Sequence, residues 1–226
     1  MTRKALEREL KRLEDKVLRM GSQVEKSLLE SVEMLKQRDL EGSRRIVAQD
    51  RAVNQERFAI ESECLITVAT QQPMASDLRV IAAILHINDE LERMGDYAKG
   101  IGKISLMIGT RPLIKPLVDI PRMAEKACSM LRRSLQAFVQ RDVAAARAIP
   151  AEDDEVDALF DQVNRELLTH IMANPSLMEQ ANLLLWVAHN LERTADRVTN
   201  ICERVIFTVT GELVEIEDDA DDTSSG

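Results

Sequence analysis

The sequence predicts an all-α protein built from two tandem, pseudo-symmetric three-helix bundles with six long helices. The first observation behind this prediction is composition. Only 3% of the 226 residues are aromatic, and the chain has 8 Gly and 6 Pro, too few strand and turn formers for an all-β protein of this size. The second is an apolar periodicity typical of long amphipathic helices. The third is an internal repeat, in which the second half of the chain follows the first.

Three long helices are predicted in the first half. In the first of them, at residues 3–37, apolar residues recur mostly in alternating steps of four and three. These positions are Leu6, Leu10, Leu13, Val17, Met20, Val24, Leu28 and Leu35. A second helix is expected at about 40–70 with Asp39 as its N-cap, and a third opens near Pro73 and continues to about residue 108. Helices of some 30 residues are about 45 Å long, which indicates an elongated bundle.

A proline-rich segment divides the chain. Residues 109–121, GTRPLIKPLVDIP, contain three prolines, which no helix interior tolerates, so this segment is predicted to be a hinge. The first domain is expected at residues 1–110 and the second at 119–212. The helices of the second domain are predicted at about 121–141, 150–173 and 175–210, with Gly211 as the stop signal.

The two halves align as copies of one unit. A shift of 103 residues places Gln37-Arg38-Asp39 on Gln140-Arg141-Asp142. After a three-residue deletion the shift becomes 100, and LERMGD at 91–96 falls on LERTAD at 191–196. A duplicated three-helix unit is the simplest explanation.

Charge and hydropathy limit the classes of function. The net charge is −9, but residues 215–222, EIEDDADD, hold six carboxylates and no base, which leaves about −3 for the rest. Residues 213–226 are therefore predicted to be a disordered acidic tail. Neither part has the basic surface of a nucleic-acid binder, so no nucleic-acid partner is expected. Without a signal peptide or an apolar run of about 18 residues, the chain is expected to be soluble and cytoplasmic.

Isolated side chains that often mark functional sites are interpreted as packing. Three widely spaced cysteines, at positions suited to neither a disulfide framework nor a zinc motif, are expected to be buried small hydrophobic residues. They are Cys64, Cys128 and Cys202. Trp186, Met172 and Met178 are likewise interpreted as core or gap-filling side chains.

The pattern that points to chemistry is a Glu and an Asp four residues apart in the third helix of each half. Both carboxylates of such a pair project from one helical face. The pairs are Glu92 with Asp96 and Glu192 with Asp196; the second helices supply Asp50 with Asn54 and Asp153 with Asp157, and the same stripe adds Asp89, His189 and Asn200. Clustered carboxylates repel one another and are costly to desolvate unless a cation neutralises them. Oxygen ligands on facing helices therefore predict a metal site in each half.

Two alternatives to a metal-binding regulatory role remain open at this point. The carboxylates could be solvated ion pairs of a purely structural helical module, because Arg93 and Arg193 adjoin the glutamates. The chain could also be a metal-dependent helical-bundle enzyme, such as a ferroxidase or a hydrolase. Against the enzyme, three residues before His86, His170 and His189 stand Ala83, Leu167 and Trp186, so the Glu-x-x-His of ferritin-like di-iron proteins is missing. The sequence also has no nucleophile elbow and no phosphate-binding loop.

Two segments carry a family resemblance. QQPMASDLRVIAAILHINDELERMGDYAKGI and LLLWVAHNLERTADRVTNICERVIFTVTGE, with the duplicated layout, closely resemble the PhoU family of phosphate-transport accessory and regulatory proteins, over about residues 3–212. The resemblance implies a non-enzymatic adaptor of the Pst phosphate ABC transporter, acting on its ATPase subunit, and of the sensor kinase PhoR. Such a protein represses the phosphate-starvation response and restrains phosphate uptake when phosphate is plentiful.

The resemblance also implies an assembly and a ligand. Members are cytoplasmic or reach the membrane only through partners, are often homodimers, and in some cases bind iron or zinc clusters on surfaces that carry the motif E(D)xxxD. On this sequence the motif falls on Glu92 and Asp96 and on Glu192 and Asp196, with the pairs of the second helices facing them. Asn54 departs from the acidic pattern. Because an amide binds metal more weakly than a carboxylate, the first site is expected to be weaker or filled differently.

Overall fold

The computed structural model describes residues 3–216, and within this range the chain is helical with no strand. The α-helices are α1 (Arg3–Gln37), α2 (Leu40–Gln71), α3 (Ala75–Ile108), α4 (Asp119–Gln140), α5 (Val143–Ala148), α6 (Asp153–Ala173) and α7 (Met178–Thr210). Short 3-10 turns at Pro150–Glu152 and Pro175–Leu177 precede α6 and α7. The all-α, duplicated bundle that the sequence predicts is confirmed.

The helices of the first repeat begin and end close to the predicted residues. Asp39 has an extended backbone, and its side chain accepts a hydrogen bond of 2.9 Å from the backbone N–H of Gly42, which caps α2 as predicted. At the other end of α2, Gln72 adopts a left-handed conformation with φ of 49° and donates its N–H to Val68. The chain can then reverse direction into α3.

The second repeat differs because its second helix is broken. Asp142 caps α5 as Asp39 caps α2, so α5 begins where the repeat requires. Pro150 stands where the first repeat has Val47, and a proline has no N–H to donate within a helix. The helix therefore passes through a 3-10 turn before it continues as α6. The sequence analysis placed only a helix from residue 150 onward and missed α5.

The boundary between the repeats is also slightly displaced from the prediction. α4 begins at Asp119, so Pro121 lies in its first turn and not in the hinge. A proline is tolerated there because the first N–H groups of a helix have no intrahelical acceptor. The remaining linker contains the other two prolines, Pro112 and Pro116.

The two repeats pack on each other through two antiparallel helix pairs. In the pair α1 and α4, Arg132 binds Glu25 and Arg141 binds Glu14. In the pair α3 and α7, the side chain of Arg79 donates to the backbone carbonyl of Thr208 at 3.4 Å. Buried apolar side chains from both repeats form one continuous core. The long faces of α2 and α6 lie outside these two pairs.

Of the two predictions about isolated side chains, the one for the cysteines is confirmed and the one for the tryptophan and methionines is wrong. Cys64, Cys128 and Cys202 are all buried free thiols, as predicted. The core assignment of Trp186, Met172 and Met178 was wrong, because these side chains are 59%, 85% and 52% exposed. They lie on the outer surface of α6 and α7, where helical periodicity alone does not reveal which positions a neighbouring helix covers.

The C-terminal end of the described chain packs against the bundle. Beyond α7, Val214 and Ile216 are partly buried against the core, and the N–H of Ile216 donates to the Glu203 carboxylate at 3.0 Å. The rest of the predicted acidic tail, 217–226, lies outside the described residues. Between residues 3 and 216, none of the helices has an apolar stretch long enough to cross a membrane.

Paired carboxylate sites in the two repeats

In the first repeat, a lysine links the carboxylates of two facing helices. Lys99 of α3 places its Nζ 2.7 Å from Oδ2 of Asp50 in α2 and 3.2 Å from Oδ1 of Asp96 in α3. The Asp50 side chain is only 7% exposed, so its charge is held away from bulk water. The ammonium supplies the positive charge that such a buried carboxylate requires.

The other members of the first site are also engaged. The side-chain amide of Asn54 donates to Oδ2 of Asp50 at 3.1 Å, which directs its donor group and not an acceptor oxygen toward the carboxylate. Asp89 lies at the margin of the site, where its Oδ1 is 2.9 Å from the guanidinium of Arg57. The pairs predicted to face one another across α2 and α3 are therefore brought together, with two cations among them.

The pKa of Glu92 responds to the neighbouring carboxylates of this site. Burial raises the pKa of its carboxyl above the ordinary value, and the nearby carboxylate of Asp96 raises it further. The positive charge of Arg57 acts in the opposite direction, while Asp50 and Asp89 add to the increase. The neighbouring carboxylates are thus close enough to Glu92 to raise its pKa.

In the second repeat, the equivalent side chains on α6 and α7 have different neighbours. Asp153 is buried at the start of α6, and Asp157 follows one turn later. On α7, Oε2 of Glu192 lies 2.9 Å from Nδ1 of His189, and Oδ2 of Asp196 lies 3.6 Å from the guanidinium of Arg193. These contacts confirm neither a metal nor a purely structural role.

The electrostatics of Glu192 resemble those of Glu92. Burial raises the pKa of its carboxyl, and the carboxylates of Asp196 and Asp157 raise it further, against the opposing effect of His189. Asp157 on α6 therefore lies close enough to Glu192 on α7 to raise its pKa. In the second repeat, Glu192 therefore has the carboxylates of Asp157 and Asp196 nearby.

Asn200 lies outside the acidic site of the second repeat. Its side-chain amide donates to Oε1 of Glu90 in α3 at 3.3 Å, and the guanidinium of Arg197 is 3.6 Å from the other oxygen of Glu90. These contacts place Asn200 at the packing surface between the two repeats. Because Asn200 follows Asp196 by four residues, the sequence analysis placed it with the acidic residues of α7. At Asn200, however, this face of α7 contacts α3.

Sequence reasoning missed the residue that organises the first site. Lys99 lies three residues after Asp96, a spacing at which two side chains share a helical face, and this was the available signal. Comparison of the repeats gives a second signal, because the counterpart of Lys99 is Thr199 and the counterpart of Arg57 is Phe160. The two sites thus differ in their basic residues as well as in Asn54.

An aromatic cavity adjoins the second site. It has a volume of about 300 Å³ and is lined by Phe160, Asn182, Leu185, Trp186 and His189. The rings of Trp186 and His189 meet edge to face with centroids 5.6 Å apart. Through His189, this cavity is in contact with the carboxylate of Glu192.

The acidic side chains of the two repeats differ in how they are arranged relative to the predicted metal sites. Among residues 3–216, no three or more His, Cys, Asp or Glu side chains are assembled as a group ready to hold a metal ion. In the first site, Lys99 already lies between the carboxylates. In the second, four carboxylates of the kind that hard or borderline cations bind lie on α6 and α7, but they are not assembled as such a group. Iron or zinc at these sites stays a prediction.

The fold and these sites define a class of duplicated three-helix proteins with one acidic motif on the second and third helices of each repeat. The family described as PhoU domain matches the chain twice, at residues 17–105 and 120–205. The two matched segments correspond to the two repeats of the structure. This chain belongs to the PhoU family.

Relatives and solved structures are similar over nearly the whole chain. A phosphate-specific transport system accessory protein PhoU homolog of Clostridium acetobutylicum is 35% identical, covering 96% of this chain and 100% of the relative. A protein of the same description from Deinococcus radiodurans is 36% identical, covering 92% and 98%. The crystal structure of the phosphate transport system regulatory protein PhoU from Streptococcus pneumoniae has a TM-score of 0.86 at 31% identity, covering 93% and 100%.

Proposed function

We propose that this chain is an accessory protein of phosphate transport that works as a regulatory adaptor and not as an enzyme. Its partners are the ATPase subunit of the Pst phosphate ABC transporter and the sensor kinase PhoR. The proposal is supported by family membership and by full-length relatives described as accessory proteins of the phosphate-specific transport system. The protein works as a homodimer in the cytoplasm and reaches the membrane through its partners.

One structural observation carries the adaptor role: both repeats expose large apolar side chains where their second helix approaches the third. Leu65 on α2 and Leu168 on α6 are equivalent under the 103-residue shift, and both are exposed. Leu78 on α3 and Met178 on α7 are equivalent under the 100-residue shift and are also exposed. Apolar side chains grouped at a surface favour protein–protein contact. We call these four residues the apolar ends.

The mechanism is a shift of the partner's equilibrium. A docked adaptor that binds the inactive state of the transporter ATPase more tightly than the active state restrains phosphate uptake. The same preference for the non-signalling state of the kinase represses the starvation response. The adaptor performs no covalent chemistry in this scheme, and its effect is limited by its differential affinity for the two states.

Metal belongs to the proposal as a structural element of the second repeat. Asp153, Asp157, Glu192 and Asp196 would hold iron or zinc through their carboxylate oxygens. The raised pKa of Glu192, caused by burial and by Asp196, supports a cluster in which a cation is favourable. These four residues come from α6 and α7, so their shared cation braces the two helices.

The biological role is tested with a phosphate-regulated reporter in a strain that lacks this gene. We expect the reporter to be active in phosphate-rich medium and to be repressed again when the gene is restored. A reporter that stays repressed without the gene contradicts the negative regulation proposed here.

Docking is tested by retention of the purified transporter ATPase subunit, and separately of the PhoR kinase domain, on the immobilised protein. Leu65→Lys with Leu168→Lys should reduce retention at least about tenfold, because burying an uncompensated ammonium at an interface is costly. Met107→Lys is the matched control, since Met107 is an equally exposed apolar residue at the opposite end of α3. Equal loss in both variants, or no retention of either partner by the unaltered protein, contradicts the proposal.

A further inference from the structure

We propose that the aromatic cavity of the second repeat receives one arginine side chain of a partner protein, with the guanidinium lying against the rings of Trp186 and Phe160. The inference rests on the adaptor role proposed above and deepens it by naming the chemistry that one docking point recognises. The evidence comes from the walls of the cavity, from the charge around it, and from the equivalent place in the first repeat.

The walls of the cavity are aromatic and come from two helices. Phe160 lies on α6, while Trp186 and His189 lie on α7, and the His189 ring is 6.3 Å from the first and 5.6 Å from the second, measured between centroids. The volume of about 300 Å³ is at the lower limit for a small-molecule pocket, which suits one large side chain. Trp186 is 59% exposed, and an accessible tryptophan beside a pocket is typical of an anchor point for a partner protein.

The segments that form the cavity are strongly acidic. Residues 153–164 of α6 and 178–192 of α7 contain seven acidic residues and neither Lys nor Arg. The equivalent segments of the first repeat, residues 50–61 and 78–92, contain six acidic residues but also three arginines. The second repeat therefore presents a more negative surface at this place, which favours a positively charged partner group.

Charge and ring geometry together select a cation over an apolar side chain. Oε2 of Glu192 lies 2.9 Å from Nδ1 of His189, so a carboxylate stands directly behind one wall of the cavity. An apolar occupant gains nothing from this charge, whereas a cation is attracted by the carboxylate and by the π face of Trp186. Arginine fits better than lysine, because the planar guanidinium stacks on aromatic rings and is more weakly hydrated.

The first repeat has an arginine of its own at this place. Arg57 is the counterpart of Phe160, and Asp89 is the counterpart of His189. The Arg57 guanidinium lies 2.9 Å from Asp89 and 5.4 Å from the centroid of the Phe58 ring, so it contacts a carboxylate and an aromatic ring together. A guanidinium supplied from outside would give the second repeat the same combination of contacts.

Trp186 is the only tryptophan of the chain, so its fluorescence reports directly on the cavity. The chain is titrated, in buffer with EDTA, with the peptide acetyl-Gly-Arg-Gly-amide and with the same peptide carrying citrulline or norleucine in place of arginine. The arginine peptide should give a saturable change, and the two uncharged peptides should bind about tenfold more weakly. The affinity of the arginine peptide should also fall as salt is added.

Substitutions in the two repeats provide matched arms. Glu192→Gln should weaken binding of the arginine peptide several-fold, while Glu92→Gln, the equivalent change in the first repeat, should leave it unchanged. Phe160→Arg places a guanidinium where the first repeat has one and should abolish peptide binding. Circular dichroism checks that each variant is folded, and the Glu192→Gln arm decides the question even if Phe160→Arg does not fold.

The partner proteins test the same pocket at full size. Trp186→Leu should reduce retention of the transporter ATPase subunit or of the kinase domain at least about fivefold, because it removes the ring on which the guanidinium lies. Met172→Leu is the control, since Met172 is an exposed residue of the same repeat.

The assignment is overturned if the arginine peptide gives no response, if the norleucine or citrulline peptide binds equally well, or if Glu92→Gln weakens binding as much as Glu192→Gln. It is also overturned if Trp186→Leu dissociates a homodimer in sedimentation, because the occupant is then a second copy of this chain. A chain that binds the arginine peptide selectively but retains neither partner protein contradicts the adaptor alone. A chain that retains its partners but does not distinguish the peptides contradicts this assignment alone.

Discussion

The guanidinium of Arg133 in α4 donates two hydrogen bonds, of 2.6 and 2.8 Å, to the carboxylate of Glu152. Glu152 belongs to the 3-10 turn that interrupts the second helix of the second repeat, and Lys126 of α4 lies 2.8 Å from one of its oxygens. Arg133 first, and then Lys126, lower the pKa of Glu152 to about 2. The turn created by Pro150 is thus fixed to α4 by two cations.

Glu152→Gln should lower the free energy of unfolding by about 1–2 kcal/mol at neutral pH, because it removes a charge-assisted bidentate contact that is only partly buried. The pKa of Glu152 is lower in the folded chain than its ordinary value of 4.5, so its stabilisation is fully present above that pH. It is lost as the pH falls from about 4.5 toward 2.

Urea unfolding of both proteins at neutral pH and at about pH 3 checks this prediction, with a smaller difference expected in acid. Asp161→Asn is the control, since Asp161 is exposed and its contact with Arg165 is 4.0 Å. A difference between the unaltered chain and Glu152→Gln that does not change with pH contradicts the role of this ion pair.

The three cysteines should be unreactive in the folded protein. Burial raises the pKa of Cys64, Cys128 and Cys202 from the usual 9.0 to about 12. The fraction of thiolate near pH 8 is then about a thousandfold smaller than for an ordinary thiol. Labelling with iodoacetamide should be negligible in the native chain and should reach all three residues in denaturant. Ser22→Cys, on the exposed face of α1, is the positive control, and rapid native labelling of the unaltered chain contradicts the prediction.

Gly21 of α1 faces the end of the Leu135 side chain of α4. A methyl group at this position would come within 2.2 Å of a Leu135 side-chain carbon, which has to move. The atom in the way is the end of a flexible side chain beside an open groove, so Leu135 can turn aside. Gly21→Ala should therefore change the free energy of unfolding by less than about 1 kcal/mol, because the gain in helix propensity offsets the overpacking. Denaturant unfolding measures the change, and Ser22→Ala on the same helix is the control.

A second substitution identifies the contact itself. In the Gly21→Ala background, Leu135→Ala should cost less than in the unaltered chain, since it removes the clash together with the packing. Additive costs would show that Gly21 serves α1 alone and not the joint between the repeats.

The sequence was sufficient for most of the fold because the helices are long and amphipathic. The stripe from Leu6 to Leu35 is buried along its whole length, so its period defined α1 correctly. The break before α6 was not predicted as such, because Pro150 was used only as a helix start and the short α5 has too few residues to show a period. Trp186 was misassigned since periodicity does not state which face of a peripheral helix is covered.

The acidic sites were predictable only as sets of carboxylates. Spacing and repetition identified the pairs on α3 and α7 and their partners on α2 and α6. The identity of the nearest cation was not accessible in this way, because it depends on the reach of Lys99 across a helix pair to Asp50. Asn200 has the spacing expected of a site residue, yet its side chain lies at the surface between the repeats. Spacing alone was therefore misleading at this position.

That surface between the repeats contains the most deeply buried ion pair of α3 and α7. The Glu90 side chain is 7% exposed and that of Arg197 is 15% exposed, and Arg197 also donates to the hydroxyl of Tyr97 at 3.4 Å. Arg197→Met should lower the free energy of unfolding by about 3 kcal/mol, because it leaves a buried carboxylate without its cation. Arg93→Met, at an exposed position of α3, should change stability by no more than about 0.5 kcal/mol.

The double variant Arg197→Met with Glu90→Gln completes a thermodynamic cycle. It should be more stable than the sum of the single changes predicts, since the glutamine removes the charge that Arg197 compensates. Urea unfolding of the four proteins gives the coupling free energy, expected at about 1–2 kcal/mol. A coupling near zero would mean that Asn200 and the surrounding packing, and not this ion pair, hold α3 against α7.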